Sequence, residues 1–322
     1  MKAIVQDVYG SADTLELRDV DTPVPGDDDV LIRVQAAGVE QGVWHLMSGL
    51  PYLTRAFFGL RAPKTPIRGR EVAGRVEAAG RNVDGFRPGD EVFGTAEGSF
   101  AEFVCAKPDK IALKPVKAGF EQAAVVPISG TTALQGLRDS GRLRPGQDVL
   151  VIGAGGGVGS FAVQLAKALG ARVTGVCSTA KVELVRSIGA DHVIDYRRDD
   201  FADGARQFDL ILDTAGNRPL SVLRRALKPR GTLVIVGGEG GNRWTGGFER
   251  SLRAALLSLF VSQKLTGLMA RERQADLRFL AQLIDAGSVT PVIDKSYPLG
   301  EAPEAIRYMH AGSARGKVVV TV

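Results

Sequence analysis

Gly153-Ala154-Gly155-Gly156-Gly157-Val158-Gly159 runs on directly from an apolar stretch at 149–152 and leads into a helical pattern over 160–169. Glycines without Cβ atoms let the backbone approach a pyrophosphate. The N-terminus of the following helix offers outward N–H groups and the positive end of its dipole. The G-x-G-x-x-G spacing is not met literally, because Ala154 stands at its first position and Gly156 and Gly159 fill the other two. The surrounding order of strand, turn, helix and second strand is nevertheless the context in which such a turn binds a dinucleotide. The N–H groups of Gly155, Gly156, Gly157 and Val158 are the candidate pyrophosphate contacts.

The second strand of this unit, 173–176, ends in Cys177-Ser178-Thr179, with Lys181 two residues on. In an NAD-binding unit a carboxylate at that place takes hydrogen bonds from the ribose hydroxyls. A carboxylate would repel a 2′-phosphate. A neutral Cys177 with Ser178, Thr179 and Lys181 supplies donors and one positive charge instead. Tyr196, after the third strand, can reach the same region. The expected cofactor is therefore NADP(H) rather than NAD(H). Ser178 and Thr179 can also cap the next helix, and the two roles are compatible. Cys177 reads as a small neutral residue rather than a redox-sensing thiol. Gly237 and Gly238 close the fifth strand of the pattern, where the crevice for the nicotinamide should open.

The elements that hold these residues follow from the rest of the chain. At 322 residues it is about twice a typical domain, so two domains are expected. Up to about residue 115, short apolar runs with period-2 alternation are punctuated by Gly, Pro and Asp, which predicts a mostly antiparallel β domain. From about residue 120, helical segments alternate with strands at 149–152, 173–176, 192–194, 210–212 and 232–236. That rhythm predicts a parallel sheet with helices on both faces. A polar loop with Trp244 follows, then a long helical region over about 250–286, a helix at 303–310 and a closing strand at 317–322 that returns to the β domain.

Composition narrows the function classes. Cys105 and Cys177 are too few for a disulfide framework or a cysteine-rich zinc site. The net charge of +5 is not gathered into any basic block, which argues against a nucleic-acid partner. The longest apolar run, 254–261, falls far short of the ~20 residues that span a bilayer. No secretory signal opens the sequence. A cytoplasmic protein with no membrane partner is expected.

Several stretches, "AAGVEQGVWH", "IRGREVAGRVEAAGRNVDGFRPGDEVFG", "VPISGTTALQGL", "VLVIGAGGGVGSFAVQLAKALGA" and "GADHVIDY", together resemble the medium-chain dehydrogenase/reductase superfamily over nearly the full length. Its quinone oxidoreductase-like branch, which works without zinc, matches best. The resemblance implies an α/β fold. A GroES-like mostly-β substrate domain would span 1–120, completed by about 287–322, and a Rossmann domain with a doubly wound parallel sheet would span 121–286. It places Thr132 near the nicotinamide and His45 where zinc-dependent relatives carry a proton-relay histidine. It also implies a homodimer joined through the last Rossmann strand, around 257–265.

The zinc-bearing branch has cysteine where this chain has Glu40, histidine where it has Arg70, and a third ligand near Ile128. No tetrahedral N/S ligand set survives, and an ion pair between Glu40 and Arg70 is expected in that pocket. The lobe of four cysteines that holds a structural zinc is absent as well. Without a Lewis acid, an already activated acceptor is the easier substrate: a quinone, an enone or an enal. Such a reaction needs a positioned cofactor, a donor to the oxygen where charge develops, and exclusion of water. The candidate catalytic residues are His45, Arg70 and Tyr52, the last in the apolar loop "GLPYLTRAFFGLRAP". Trp44 and Trp244 are candidates to stack on an aromatic substrate. Two other functions fit the sequence: an NAD(P)-dependent alcohol dehydrogenase or carbonyl reductase without metal, and a catalytically weak nucleotide-binding regulatory protein. Glu40 and Val43, where zinc-free relatives more often have Asn and Asp, leave room for the last.

Overall fold

A computed structural model describes residues 1–204, 206–237 and 241–322. Two compact units are seen. One comprises Met1–Thr131, Glu272–Gly287 and Pro291–Val322; the other comprises Thr132–Arg271 and Ser288–Thr290. None of the described helices is long and apolar enough to cross a membrane.

The first unit opens with β1 (Lys2–Val5) and β2 (Glu16–Asp19), an antiparallel pair. Next come β3 (Val30–Val39), α1 (Gln41–Ser48), α2 (Arg55–Phe58), β4 (Glu71–Ala79), β5 (Glu91–Thr95), β6 (Phe103–Ala106), β7 (Ile111–Leu113), α3 (Phe120–Ala124) and α4 (Pro127–Gln135). β3 pairs antiparallel with both β4 and β6, and β5 joins β4 to β7. With neighbours on both edges, β3 is buried almost throughout. Its sequence VLIRVQAAGV accordingly reads nearly continuous rather than alternating.

The second unit is a parallel sheet. Its elements are β8 (Asp148–Ile152), α5 (Gly157–Ala168), β9 (Arg172–Cys177), α6 (Val182–Ser187), β10 (His192–Asp195), β11 (Phe208–Asp213), α7 (Leu220–Arg225), β12 (Leu227–Ile235), α8 (Phe248–Ser258) and β13 (Lys264–Gly267). Among the described residues the strand order is β10-β9-β8-β11-β12-β13, every pair parallel. The order reverses between β8 and β11, which is the switch point of a doubly wound sheet. Val149, Leu150 and Val151 are fully buried, as strands covered on both faces must be.

The long helical region expected over 250–286 is corrected here. α8 ends at Ser258, and Lys264-Leu265-Thr266-Gly267 adds a sixth strand beside β12 before α9 (Gln274–Asp285) begins. Four residues carrying one buried leucine show no period from which a strand can be read.

The chain then supplies the first unit with β14 (Ile293–Pro298), α10 (Ala302–His310) and β15 (Lys317–Thr321). β15 pairs antiparallel with β3 and parallel with β14. Val43 and Met47 of α1 and Ile306 of α10 pack with Val39, Val318 and Val320 in one buried cluster. Each large apolar side chain so buried contributes about 1.5–3 kcal/mol. This packing fixes α1 against the sheet, and with it Glu40 and His45.

Candidate functional site

All the candidate cofactor residues belong to the second unit. Gly153 sits at φ +82°, a conformation that suits glycine, and its N–H and that of Ala154 both donate to the Val176 carbonyl. The turn is thereby stitched to the end of β9. A methyl group on Gly159 would lie 2.1 Å from the Gly153 carbonyl oxygen, so no side chain fits where α5 packs on the turn. Gly155 is buried, while Gly156, Gly157 and Val158 are partly open at the start of the twelve-residue α5. A first helical turn has N–H groups without intrahelical acceptors, and these are the groups an anion takes. A Cβ on Gly155 would meet Lys181 Cβ at 2.8 Å, so the lysine stem lies against the glycine turn.

At the far end of β9, Cys177 is buried, and burial followed by the Asp195 charge pushes its thiol up to about 11. It is neutral and unreactive at physiological pH. The Tyr196 N–H donates to the Cys177 carbonyl at 3.1 Å, which brings this half-exposed tyrosine to the strand end. Ser178 makes no side-chain capping bond. The Thr179 hydroxyl donates to Asp195 Oδ2 at 2.6 Å.

Asp195 lies directly across the ladder from Cys177. Its carboxyl is held below the usual range by the Thr179 hydroxyl, with the Arg197 N–H and the Arg198 charge adding to it. The sequence reading missed it, and it missed Arg218, whose guanidinium stands 6.0 Å from the Tyr196 ring centre. It also missed the ion pair of Arg250 Nη2 with the fully buried Asp213 at 2.6 Å, which ties α8 to the end of β11. None of these pairings is local, so no spacing signalled them. Gly237 packs tightly on the β11 end: a Cβ there would meet the Thr214 carbonyl oxygen at 2.3 Å. Gly238 lies outside the described residues. Thr132 is half-buried on α4.

The candidate catalytic residues belong to the first unit. Glu40 caps α1, with Oε2 accepting from the Gly42 N–H at 2.5 Å. Gly42 is required there, since a Cβ would stand 2.7 Å from that same oxygen. Glu40 Oε1 is buried and has no hydrogen-bond partner among the described residues. Burial drives the Glu40 carboxyl above its ordinary range. The nearby Arg70 charge opposes this, Glu71 reinforces it, and Lys317 and the Gly42 N–H oppose it.

The expected Glu40–Arg70 ion pair is not formed. Arg70 Nη2 instead donates to Glu272 Oε1 at 2.7 Å, and its Nε lies 3.3 Å from Glu97 Oε1. Lys110 reinforces Glu272 by donating to its carbonyl at 3.3 Å. Glu71 and Lys317 form a sealed pair at 2.7 Å, completed by the Ile128 N–H donating to Glu71 Oε1 and by Lys317 Nζ donating to the Ser129 hydroxyl oxygen.

His45 Nδ1 donates to the Leu50 carbonyl at 2.8 Å, which leaves Nε2 as the ring position for a further partner. Tyr52 is partly exposed, with the Arg55 guanidinium 4.8 Å above its ring. Trp44 stacks face to face on His310 at 4.0 Å, so one face is not open to an aromatic substrate. Trp244 is largely exposed.

The donor set does not fit zinc. A carboxylate engaged with Gly42, a guanidinium and an isoleucine hold the positions that the resemblance equates with its ligands. Among the described residues no group of three His, Cys, Asp or Glu converges as a metal site. The glycine turn fits a dinucleotide: close packing at Gly155 and Gly159 draws the turn against Lys181 and the start of α5, and Gly156, Gly157 and Val158 stay partly open at the N-terminus of that helix.

Residues 26–175 match the family described as Alcohol dehydrogenase GroES-like domain, and residues 188–320 the family described as Zinc-binding dehydrogenase. The Chloroplast envelope quinone oxidoreductase homolog of Arabidopsis thaliana is 31% identical over 337 residues, which cover 99% of this chain and 98% of that protein. The 2-methylene-furan-3-one reductase of Solanum lycopersicum is 31% identical over 335 residues, 99% of this chain and 79% of that protein. Among solved structures, a mycobacterial protein complexed with NADPH superposes with a TM-score of 0.85 at 28% identity, covering 100% of both chains.

Proposed function

From the premise that this chain belongs to the medium-chain dehydrogenase/reductase superfamily, in its quinone oxidoreductase-like branch, we propose that it is a zinc-independent, NADPH-dependent oxidoreductase acting on quinones or α,β-unsaturated carbonyls. The observation that carries the reading is the corner at the end of β9. A neutral Cys177 stands in place of a carboxylate there, and the Lys181 stem is laid against Gly155 of the phosphate turn. The NADPH in the mycobacterial relative and the enone-type name of the tomato relative point the same way.

When bound, NADPH supplies the hydride. The N–H groups of Gly155, Gly156, Gly157 and Val158 take the pyrophosphate, and Lys181, Ser178 and Tyr196 take the 2′-phosphate end, with the Thr179 hydroxyl kept on Asp195. Thr132 and Gly237 flank the nicotinamide. Arg70, His45 and Tyr52 orient the acceptor. Residues 1–120 with about 287–322 serve as the substrate domain, and 121–286 as the cofactor domain. The exposed row Leu252, Leu256, Leu259 and Phe260, beside the edge strand β13, supports a homodimer through that edge.

Lys181→Glu tests the cofactor assignment. The apparent KM for NADPH should rise at least about tenfold more than that for NADH, as loss of one charge-assisted hydrogen bond requires. Equal rises for both cofactors would refute it. Following NADPH absorbance with a quinone, an enone and an aldehyde, and NADP⁺ with an alcohol, tests the substrate class. Oxidation of NADPH by the first two alone is expected. Alcohol turnover points to the metal-free dehydrogenase, and binding without turnover to a regulatory protein.

A further inference from the structure

Four carboxylates, Glu40, Glu71, Glu97 and Glu272, surround Arg70 and Lys317 in the first unit, and the charges balance unequally. Lys317 is taken by Glu71, and Arg70 by Glu272 and Glu97. Glu40 lies within electrostatic reach of Arg70, Glu71 and Lys317, yet it has no ion-pair partner among the described residues. One of its oxygens is satisfied by Gly42, and the other, Oε1, by no group among the described residues.

An ionised carboxylate with a bare, buried oxygen is expensive, whereas the neutral acid is much less so. The hydrogen-bond pattern suits the acid. Oε2 accepts from a backbone N–H, as a carbonyl-type oxygen does, and Oε1 is left as the hydroxyl. An orphaned donor in a buried corner is a group built for a ligand that is not always present.

We propose that Glu40 acts as a neutral carboxylic acid whose Oε1–H donates to the carbonyl or quinone oxygen of the substrate and then transfers its proton to it. The proposal rests on the oxidoreductase reading above. It gives Glu40 the electrophilic part that a metal ion plays elsewhere in the superfamily. Oε1 itself is closed off from solvent, so the substrate oxygen reaches it by displacing the cover on the side of Arg70, whose side chain is 27% exposed.

Hydride adds to the electron-poor carbon, the π pair moves onto oxygen, and that oxygen takes the Oε1 proton. The carboxylate so formed is stabilised by the adjacent Arg70 guanidinium and regains its proton from water. One hydride and one proton are consumed per substrate reduced. Arg70 keeps the acid from being too weak to give up its proton, while its pairs with Glu97 and Glu272 keep it from ionising Glu40 permanently.

Glu40→Gln preserves size and one donor but has no proton to give. We expect kcat with a quinone or an enone to fall at least about 100-fold, the usual contribution of a general acid. NADPH affinity, read by fluorescence titration, should stay within about twofold. The wild-type rate should decline as pH rises and the carboxyl ionises, and the Gln variant should lack that limb. Infrared spectra at neutral pH should show a protonated-carboxyl band that Glu40→Gln loses, a readout independent of turnover. Glu40→Asp, an acid of shorter reach, should recover part of the rate.

A Gln variant that keeps its kcat and its pH limb would overturn the proposal, as would a wild-type spectrum without the band. Wild-type protein that oxidises no NADPH with any acceptor would take down the oxidoreductase reading. The proton-transfer proposal would fall with it, even if the band were present.

Discussion

The glycine turn of the second unit and the charged corner of the first prepare for a ligand in opposite ways. The turn works by removing side chains. Between β8 and α5 the turn is backbone with little side chain, and Gly159 has no room for even a methyl group. The corner works by gathering side chains. Glu40, Arg70, Glu71, Glu97, Glu272 and Lys317 come from the end of β3, the approach to and first residue of β4, a loop, the approach to α9 and the first residue of β15. A site made of contiguous backbone depends on local conformation. A site made of distant charges depends on which partner each charge finds, and one group left over from that pairing becomes available for chemistry.

The largest effect expected from breaking this contrast is on stability. Lys317→Met strands Glu71 as an unpaired buried carboxylate and should cost about 3–5 kcal/mol, read as a lower urea midpoint. Adding Glu71→Gln should recover part of it; a double variant no better than the single would show that the pair is not what matters. Next in size, Gly159→Ala should weaken NADPH binding at least about tenfold, because the methyl meets backbone that cannot move without opening the turn. Native affinity in that variant would mean the cradle is not where the pyrophosphate sits.

A smaller effect sharpens the corner. Glu272→Gln leaves Arg70 only Glu97 as a full partner and frees it toward Glu40. The alkaline limb assigned to Glu40 should move to lower pH, and an unmoved limb would disconnect the two residues. The smallest effect lies at the foot of the parallel sheet. The Asp148 carboxyl is held below its usual range, first by Arg172 and then by Lys228. A depressed folded value means that its stabilisation is complete above the ordinary aspartate range and is lost as pH falls through the folded one. Asp148→Asn should therefore lower the unfolding free energy from urea titration at neutral pH by less than about 1 kcal/mol, since the partners are largely solvated, and should match wild type in strong acid.

The legibility of the chain follows the same division. The βαβ run from β8 to β9 was readable because strand, turn, helix and strand follow one another and each has its own periodicity. Tyr196 lies beside Cys177, because parallel neighbours in a doubly wound sheet end side by side. β13 was not readable, because four residues with one buried leucine have no period, and the helices around it dominate the pattern. The partner of Thr179 was missed because Asp195 reaches it only through the β9–β10 ladder. Arg70 was expected to turn to Glu40, because the resemblance implies that their two motif positions converge. It found Glu272 instead, which is 202 residues away in the chain.

By itself the sequence determined the alternation that builds a parallel sheet, the glycines that clear the phosphate turn, and the absence of a carboxylate at position 177. These are properties of neighbouring residues, enforced by steric and periodic rules that act over a few positions. Only the tertiary structure decided which acid each cation takes, and hence that Glu40 keeps a buried oxygen without a partner among the described residues. Charge pairing is a competition among groups brought together by the whole fold, and its outcome is not written in any one segment.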